Sequence, residues 1–313
     1  MRNLHTIIYI LVGTLLASCN SSYPEVISRD SRGTTLLLSV LDAEEADNLA
    51  EEYAILNLSL FLTKAGDSIV TDKYVFSSFR AADGSSTQNC QVITLPPEVS
   101  EGGAKDIYVI ANCDNATALN SIETVGDLRA LTTTKLHGVN NMLTTERGLP
   151  MYGEYLNAEL NNTDTTPINI RLLRLCAKLD ITLTFTNDTW IGTNNRFGID
   201  HAASYTYFVR NDAFVIDSLD LVYYPLIAME QQAANVFHHI AYVYESKVLP
   251  FMHLYTVING KLYEYVAKDN FPLPVRNRMY AVEIEILEPL SAETRTSGDF
   301  SPQIRQTVSE SVW

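Results

Sequence analysis

The chain has 313 residues, of which 46% are hydrophobic and 19% charged, so it can bury a sizeable core and is not disordered as a whole. Asp and Glu outnumber Lys and Arg by 37 to 22, a formal charge of −15, which makes the chain a poor candidate for binding a phosphate backbone through basic stripes, and no nucleic acid is expected as a partner. The 17 tyrosines against 11 phenylalanines, with abundant Thr, Val, Ile and Leu, favour strands.

The chain opens with a short basic start (Arg2, His5), an apolar run over 7–16, and Leu16-Ala17-Ser18-Cys19. The run is too short for an ordinary membrane span. A branched apolar residue, two small residues and a thiol form a lipobox, and the segment resembles a bacterial lipoprotein signal peptide cleaved before Cys19. The expectation is a signal peptide over 1–18, lipid on Cys19, and a polar tether over 19–33. Asn20 follows the cysteine, where a lipoprotein retained at the inner membrane often has Asp. The outer membrane is therefore the expected location.

Residues 34–41 (TTLLLSVL) form an apolar, β-prone run. Residues 42–53 (DAEEADNLAEEY) carry six carboxylates and no base, and read as a short acidic helix or connection. Residues 54–63 alternate as a half-buried strand, 64–67 turn, and 68–76 return as the hairpin partner. A polar loop over 80–89, a short strand over 92–95 and a buried strand over 106–111 follow. Ile122, Val125, Leu128 and Leu131 lie at helical spacing behind Ser121, a candidate cap. Strands are predicted over 167–171 and 178–185. The Asn- and Gly-rich stretch 186–201 reads as a loop at a domain boundary. The second half repeats the β pattern over 205–210, 214–224, 236–245, 253–258, 262–267 and 278–287. Asn259-Gly260 is a hairpin signal joining two of these, and 303–313 reads as a final strand. The expected fold is mainly β, with two sandwich domains over 34–187 and 188–313 and one or two short helices.

The chain has no dinucleotide fingerprint, P-loop, H-E-x-x-H or G-x-S-x-G, so no enzyme activity, cofactor or metal is assigned. His238 and His239 are adjacent, and in a strand they face opposite ways, so they do not chelate one ion. Asp180 falls out of phase with the apolar positions of its strand and is expected to face outward. Cys176 sits in an apolar strand context and reads as a packed thiol. A Cys90–Cys113 disulfide is left open. The acidic run lacks the central glycine and alternating oxygen ligands of a calcium loop. Tyrosines concentrate in the second half. Strand propensity with a hydroxyl at a wet edge is the favoured reading of them, and a binding surface such as a stacking platform for glycans is the rival.

Four segments, in order, resemble one family: 125–132 (VGDLRALT), 149–154 (LPMYGE), 170–181 (IRLLRLCAKLDI) and 275–286 (VRNRMYAVEIEI). They are similar to fimbrillins, the subunits of type V pili of Gram-negative anaerobes, with Arg174, Ala177 and Lys178 matching one motif and Arg276, Asn277 and Tyr280 another. The resemblance implies transthyretin-like, Greek-key β-sandwich domains and a surface-exposed lipoprotein. It also implies partners that are other pilus subunits, joined by strand addition. In stalk subunits an Arg-specific protease removes the first strand, and the vacated groove takes a neighbour's strand. Here the corresponding strand is Thr34, Thr35, Leu36, Leu37, Leu38, Ser39, Val40 and Leu41. No Lys or Arg lies between Gly33 and Thr63, and Arg29 and Arg32 precede the strand. The resemblance therefore implies an anchor or assembly-terminating subunit that keeps both lipid and first strand, rather than a stalk or tip subunit. The short segment 303–313 has little to donate. A host ligand is left open.

Overall fold

The computed structural model describes residues 25–26, 33–40, 50–76, 90–100, 103–136, 143–160, 167–187, 190–210, 220–267, 271–287 and 303–313. The signal segment, Cys19, most of the tether, Leu41 and the acidic stretch 42–49 lie outside the described residues. Two units emerge: Met1–Thr133, Thr145–Arg174 and Phe208–Arg210 form the first, and Thr134–Thr144, Leu175–Tyr207 and Asn211–Trp313 the second. The division falls at Arg174/Leu175, not after 187. Residues 168–185 are two strands in direct succession with no polar linker between them, so composition does not mark the change of unit.

The strands of the first unit are β1 (Glu25–Val26), β2 (Thr35–Val40), β3 (Leu58–Lys64), β4 (Val70–Phe76), β5 (Cys90–Thr94), β6 (Lys105–Ala111), β7 (Met151–Ala158) and β8 (Ile168–Arg174). They run in the order β1-β5-β2-β8-β7-β6-β3-β4. β7 and β8 share only two pairs, Met151–Arg174 and Tyr152–Leu173, so the sheet turns a corner there. Gly153 belongs at that corner, because a Cβ would stand 2.6 Å from the Arg171 carbonyl oxygen. β3 is buried on both faces from Leu58 to Thr63, not half-buried as its alternation suggests. Lys73, paired opposite Phe61, lies over that ring and donates to the Asn120 carbonyl at 2.7 Å, so the more polar face of β3 is covered as well.

Two short helices form, α1 (Ala116–Asn120) and α2 (Val125–Ala130), and of the positions predicted at helical spacing only Val125 and Leu128 lie in a helix, both buried on α2, while Ile122 and Leu131 flank it. The cap of α2 is Thr124, not Ser121. Thr124 accepts from the Asp127 N–H, and the Asp127 carboxylate accepts from the Thr124 N–H, a reciprocal capping box. Ser121 instead closes the C-terminus of α1.

The second unit has two sheets. β11 (Leu221–Ala228), β10 (Thr193–Ala203), β14 (Phe251–Ile258) and β15 (Lys261–Ala267) form one, in that order. The other runs β12 (Glu230–Ala233), β13 (Val236–Tyr244), β9 (Cys176–Phe185), β16 (Arg278–Leu287), β17 (Gln303–Val312). Alternate residues Leu179, Ile181, Leu183 and Phe185 of β9, and Val282, Ile284 and Ile286 of β16, meet Phe197, Ile199, Met252 and Leu254 of the facing sheet in one buried cluster. The arrangement is a β-sandwich. β14 and β15 are joined at Asn259 and Gly260, both with positive φ (51° and 76°), as the hairpin signal predicts. β10 occupies much of the stretch expected to be a loop, and 205–210 forms no strand. Among the described residues no helix is long and apolar enough to cross a membrane.

Candidate functional site

Strand β2 is the centre of the candidate site. Its sequence, TLLLSV, has no charge, and its leucines bury well on a pleated surface. It is an interior strand. On one side it pairs antiparallel with β5, from Thr35↔Thr94 to Ser39↔Cys90. On the other it pairs parallel with β8, from Leu36↔Ile168 to Val40↔Leu172. Leu36 and Leu38 are 0% exposed, and Leu37 and Val40 are also buried. Burying such side chains contributes about 1.5–3 kcal/mol each, on the order of 10 kcal/mol together as an upper figure. Withdrawing β2 would expose the facing edges of β5 and β8 as a groove with unpaired backbone groups.

Both ends of β2 are held. At its entry the Leu95 N–H donates to the Thr34 carbonyl at 2.8 Å. A Cβ on Gly33 would stand 1.8 Å from the Leu95 carbonyl oxygen, so only glycine fits there. Downstream the chain re-enters the described structure at a single helical turn, Ala50–Tyr53. Arg174 of β8 holds this turn: its Nε donates to the Glu52 carbonyl at 3.0 Å, and its guanidinium lies 4.7 Å from the Tyr53 ring centre. Asn112 secures the next stretch. Its Nδ2 donates to the carbonyls of Ala54 (2.7 Å) and Leu149 (2.8 Å), and its Oδ1 accepts from the Leu56 N–H at 2.8 Å.

The last strand is equally committed. β17 pairs antiparallel with β16 at ten positions, from Arg278↔Val312 to Leu287↔Gln303. Beyond it Trp313 is 1% exposed. Its ring stacks on Tyr242, with centroids 5.8 Å apart, and the Lys178 ammonium lies 6.0 Å from the Trp313 centroid. Asn277, in the left-handed region at φ 56°, accepts the Trp313 N–H on its carbonyl, and its Nδ2 donates to the Trp313 carbonyl at 2.8 Å. Arg276 pairs with Glu245 and donates to the Tyr207 carbonyl, while the Tyr280 hydroxyl donates to the Leu273 carbonyl. The matched residues Arg174, Lys178, Arg276, Asn277 and Tyr280 therefore pin strand ends. Gly33, Asn112, Glu52 and Trp313 carry the same duty and were not singled out from sequence, because their partners are distant along the chain.

The remaining candidates sort by face. His238 meets Asp180 at 2.6 Å, while the neighbouring His239 ring packs on Phe197 (5.5 Å between centroids), so the two do point apart. Burial holds the His239 pKa below the ordinary imidazole range, and nearby His238 adds to the effect. Cys113 is a buried thiol outside any disulfide, with its pKa pushed up by burial, and Cys176 is likewise a buried thiol outside any disulfide. The side chain of Cys90 lies outside the described residues. Among the described residues no three His, Cys, Asp or Glu side chains gather as a metal site.

The profile of the family described as major fimbrial subunit protein (FimA) matches residues 35–200, just over half of the chain, starting at the first residue of β2. The chain belongs to this fimbrial subunit family. No curated protein matches it. Among solved structures, the tip fimbrial protein Mfa3 of Porphyromonas gingivalis with C-terminal truncation is similar at a TM-score of 0.55 and 18% identity, over 89% of this chain and 100% of that one. A fimbrial assembly protein of Parabacteroides distasonis is similar at 0.51 and 16%, over 88% and 94% of the two chains. At these identities the likeness is one of fold, and it spans both units.

Proposed function

We propose that this fimbrial subunit is a non-enzymatic structural component of a type V pilus, held at the outer membrane by lipid on Cys19, and that it ends assembly at its own position. The observation that carries this reading is the seating of β2 between β5 and β8. A strand that stays covalently attached competes for its groove at an effective concentration of about millimolar or more. The absence of Lys and Arg between Gly33 and Thr63 leaves an Arg-specific protease nowhere to release it. Cutting at Arg29 or Arg32 would remove the lipid and leave the strand in place. The full pairing of β17 supports the same reading, because a strand bound along its length to β16 is not free for donation. Other pilus subunits are the partners, joined through strand complementation between themselves.

Mass spectrometry of the N-terminus, on protein from native outer membranes and from sheared pili, tests this. The expected result is acylated Cys19 with residues 34–41 intact, retained in the membrane fraction. A chain that begins after Leu41 and shears off with the fibres would make it a polymerising stalk or tip subunit instead.

A further inference from the structure

The outer face of the four-stranded sheet in the second unit carries an aromatic strip that the pilus reading does not use. Cross-strand register puts three rows on this face: Arg196, Tyr255 and Glu264; Gly198, His253 and Val266; Asp200 and Phe251. Tyr223 joins them from β11, 42% exposed. Its ring lies 6.2 Å from that of His253, edge-on at 63°, and Gly198, paired opposite His253, places no side chain between them. The His253 and Tyr255 rings are nearly parallel, 12° apart at 6.4 Å. Glu264 fixes both, accepting from the Tyr255 hydroxyl at 2.7 Å and meeting the His253 Nδ1 at 3.2 Å. Rotation of the two rings is thereby restricted before any ligand arrives.

We propose that this face binds a neutral glycan chain, stacked on Tyr223 and Tyr255, with the largely buried His253 ring between them. A sugar ring presents apolar C–H faces and a rim of hydroxyls. It therefore fits flat rings that stand beside charged hydrogen-bonding groups, here Glu264, Asp200 and Arg196. β10 and β14 are interior strands whose backbones are paired on both sides, so an added peptide strand finds no free edge on this face. The side chains alone must do the binding. Charge selects among glycans: two carboxylates against one guanidinium, on a chain of formal charge −15, repel sialylated or sulfated chains and accept uncharged ones. Tyr223 has its pKa raised by burial and by the nearby carboxylates of Asp200 and Glu264, and Tyr255 is pushed up to about 12 by its bond to Glu264, so both phenols stay protonated at neutral pH and the Tyr223 hydroxyl can donate to a sugar.

The test is affinity electrophoresis of the full chain, purified in detergent, through gels containing mannan, galactomannan or mixed-linkage β-glucan, with polysialic acid as the acidic counterpart. At least one neutral gel is expected to retard the protein. Tyr223→Ala and Tyr255→Ala are each expected to weaken that binding at least tenfold with unfolding temperature unchanged, while Tyr155→Ala in the first unit leaves it intact. Should Tyr255→Ala disturb the fold, Tyr223→Ala, at the more exposed position, carries the test alone. No retardation in any neutral gel, retardation by polysialic acid alone, or equal retardation of the Tyr223→Ala chain would each overturn the proposal.

Discussion

The residues matched to the family by motif turn out to be fasteners rather than contact points. Asn277 illustrates how such a position is held. It takes a left-handed backbone conformation that Asn tolerates better than most residues, and it also pairs with both backbone groups of Trp313. Arg174 is comparable: a planar donor reaches the Glu52 carbonyl while its face covers the Tyr53 ring, which a lysine does not reproduce. His239 allows a quantitative check at this scale. Its folded pKa is depressed by burial, so between the unfolded value near 6.5 and the lower folded value the unfolded chain holds the extra proton. The stability this group supports is complete above about pH 6.5 and is lost as the pH falls below it. The urea midpoint of the chain is therefore expected to drop from pH 7.5 to pH 5.5, and to drop less in His239→Leu. Equal drops in the two proteins would show that His239 charges freely in the folded state.

At the scale of elements, β2 should be most sensitive where it enters the sheet. Gly33→Ala forces a methyl group onto the Leu95 carbonyl, and the expected cost is about 1–3 kcal/mol, as for overpacking elsewhere. It is read as a lower urea midpoint and faster amide exchange over 35–40, with the second unit unaffected. Unchanged exchange there would mean that the entry of β2 is not tightly seated. The strand itself was legible, because an uncharged run of Thr, Leu and Val after a polar segment has few other uses. β9 was legible through its alternation, and the β14–β15 hairpin through Asn259-Gly260. β10 was not: Asn194 has positive φ, and Asn195 is a buried polar residue that donates to the Gly192 carbonyl and accepts from the Thr256 hydroxyl, so its strand reads as loop from composition. The unit boundary was missed for the converse reason, since β8 and β9 read as one apolar stretch. The clamps at the ends of β2 and β17 could not be read at all. Arg174 and Glu52 are 122 positions apart, and no local pattern announces their meeting.

At the scale of the whole molecule, the proposed terminating role turns on whether β2 can leave. Two kinds of contact oppose its departure, the buried leucines with their ladders to β5 and β8, and the covalent connection to the turn at Ala50–Tyr53. Only the second is cut by a protease, and cutting it turns an intramolecular strand into an exchangeable one. An arginine placed after the strand should therefore convert the protein. In Ala43→Arg, an Arg-specific protease is expected to cut behind β2, which intact-mass analysis reads directly, whereas the parent chain gains no cut between 33 and 63. The clipped variant should keep its first strand in buffer, held by burial alone, and exchange it for a labelled TTLLLSVL peptide once mild denaturant loosens the first unit. The parent chain under the same denaturant should take up far less label, because its own strand returns to the groove faster than peptide at micromolar concentration can enter. Equal uptake by the uncut parent would mean that the connection does not guard the groove, and the terminating role would fall with it.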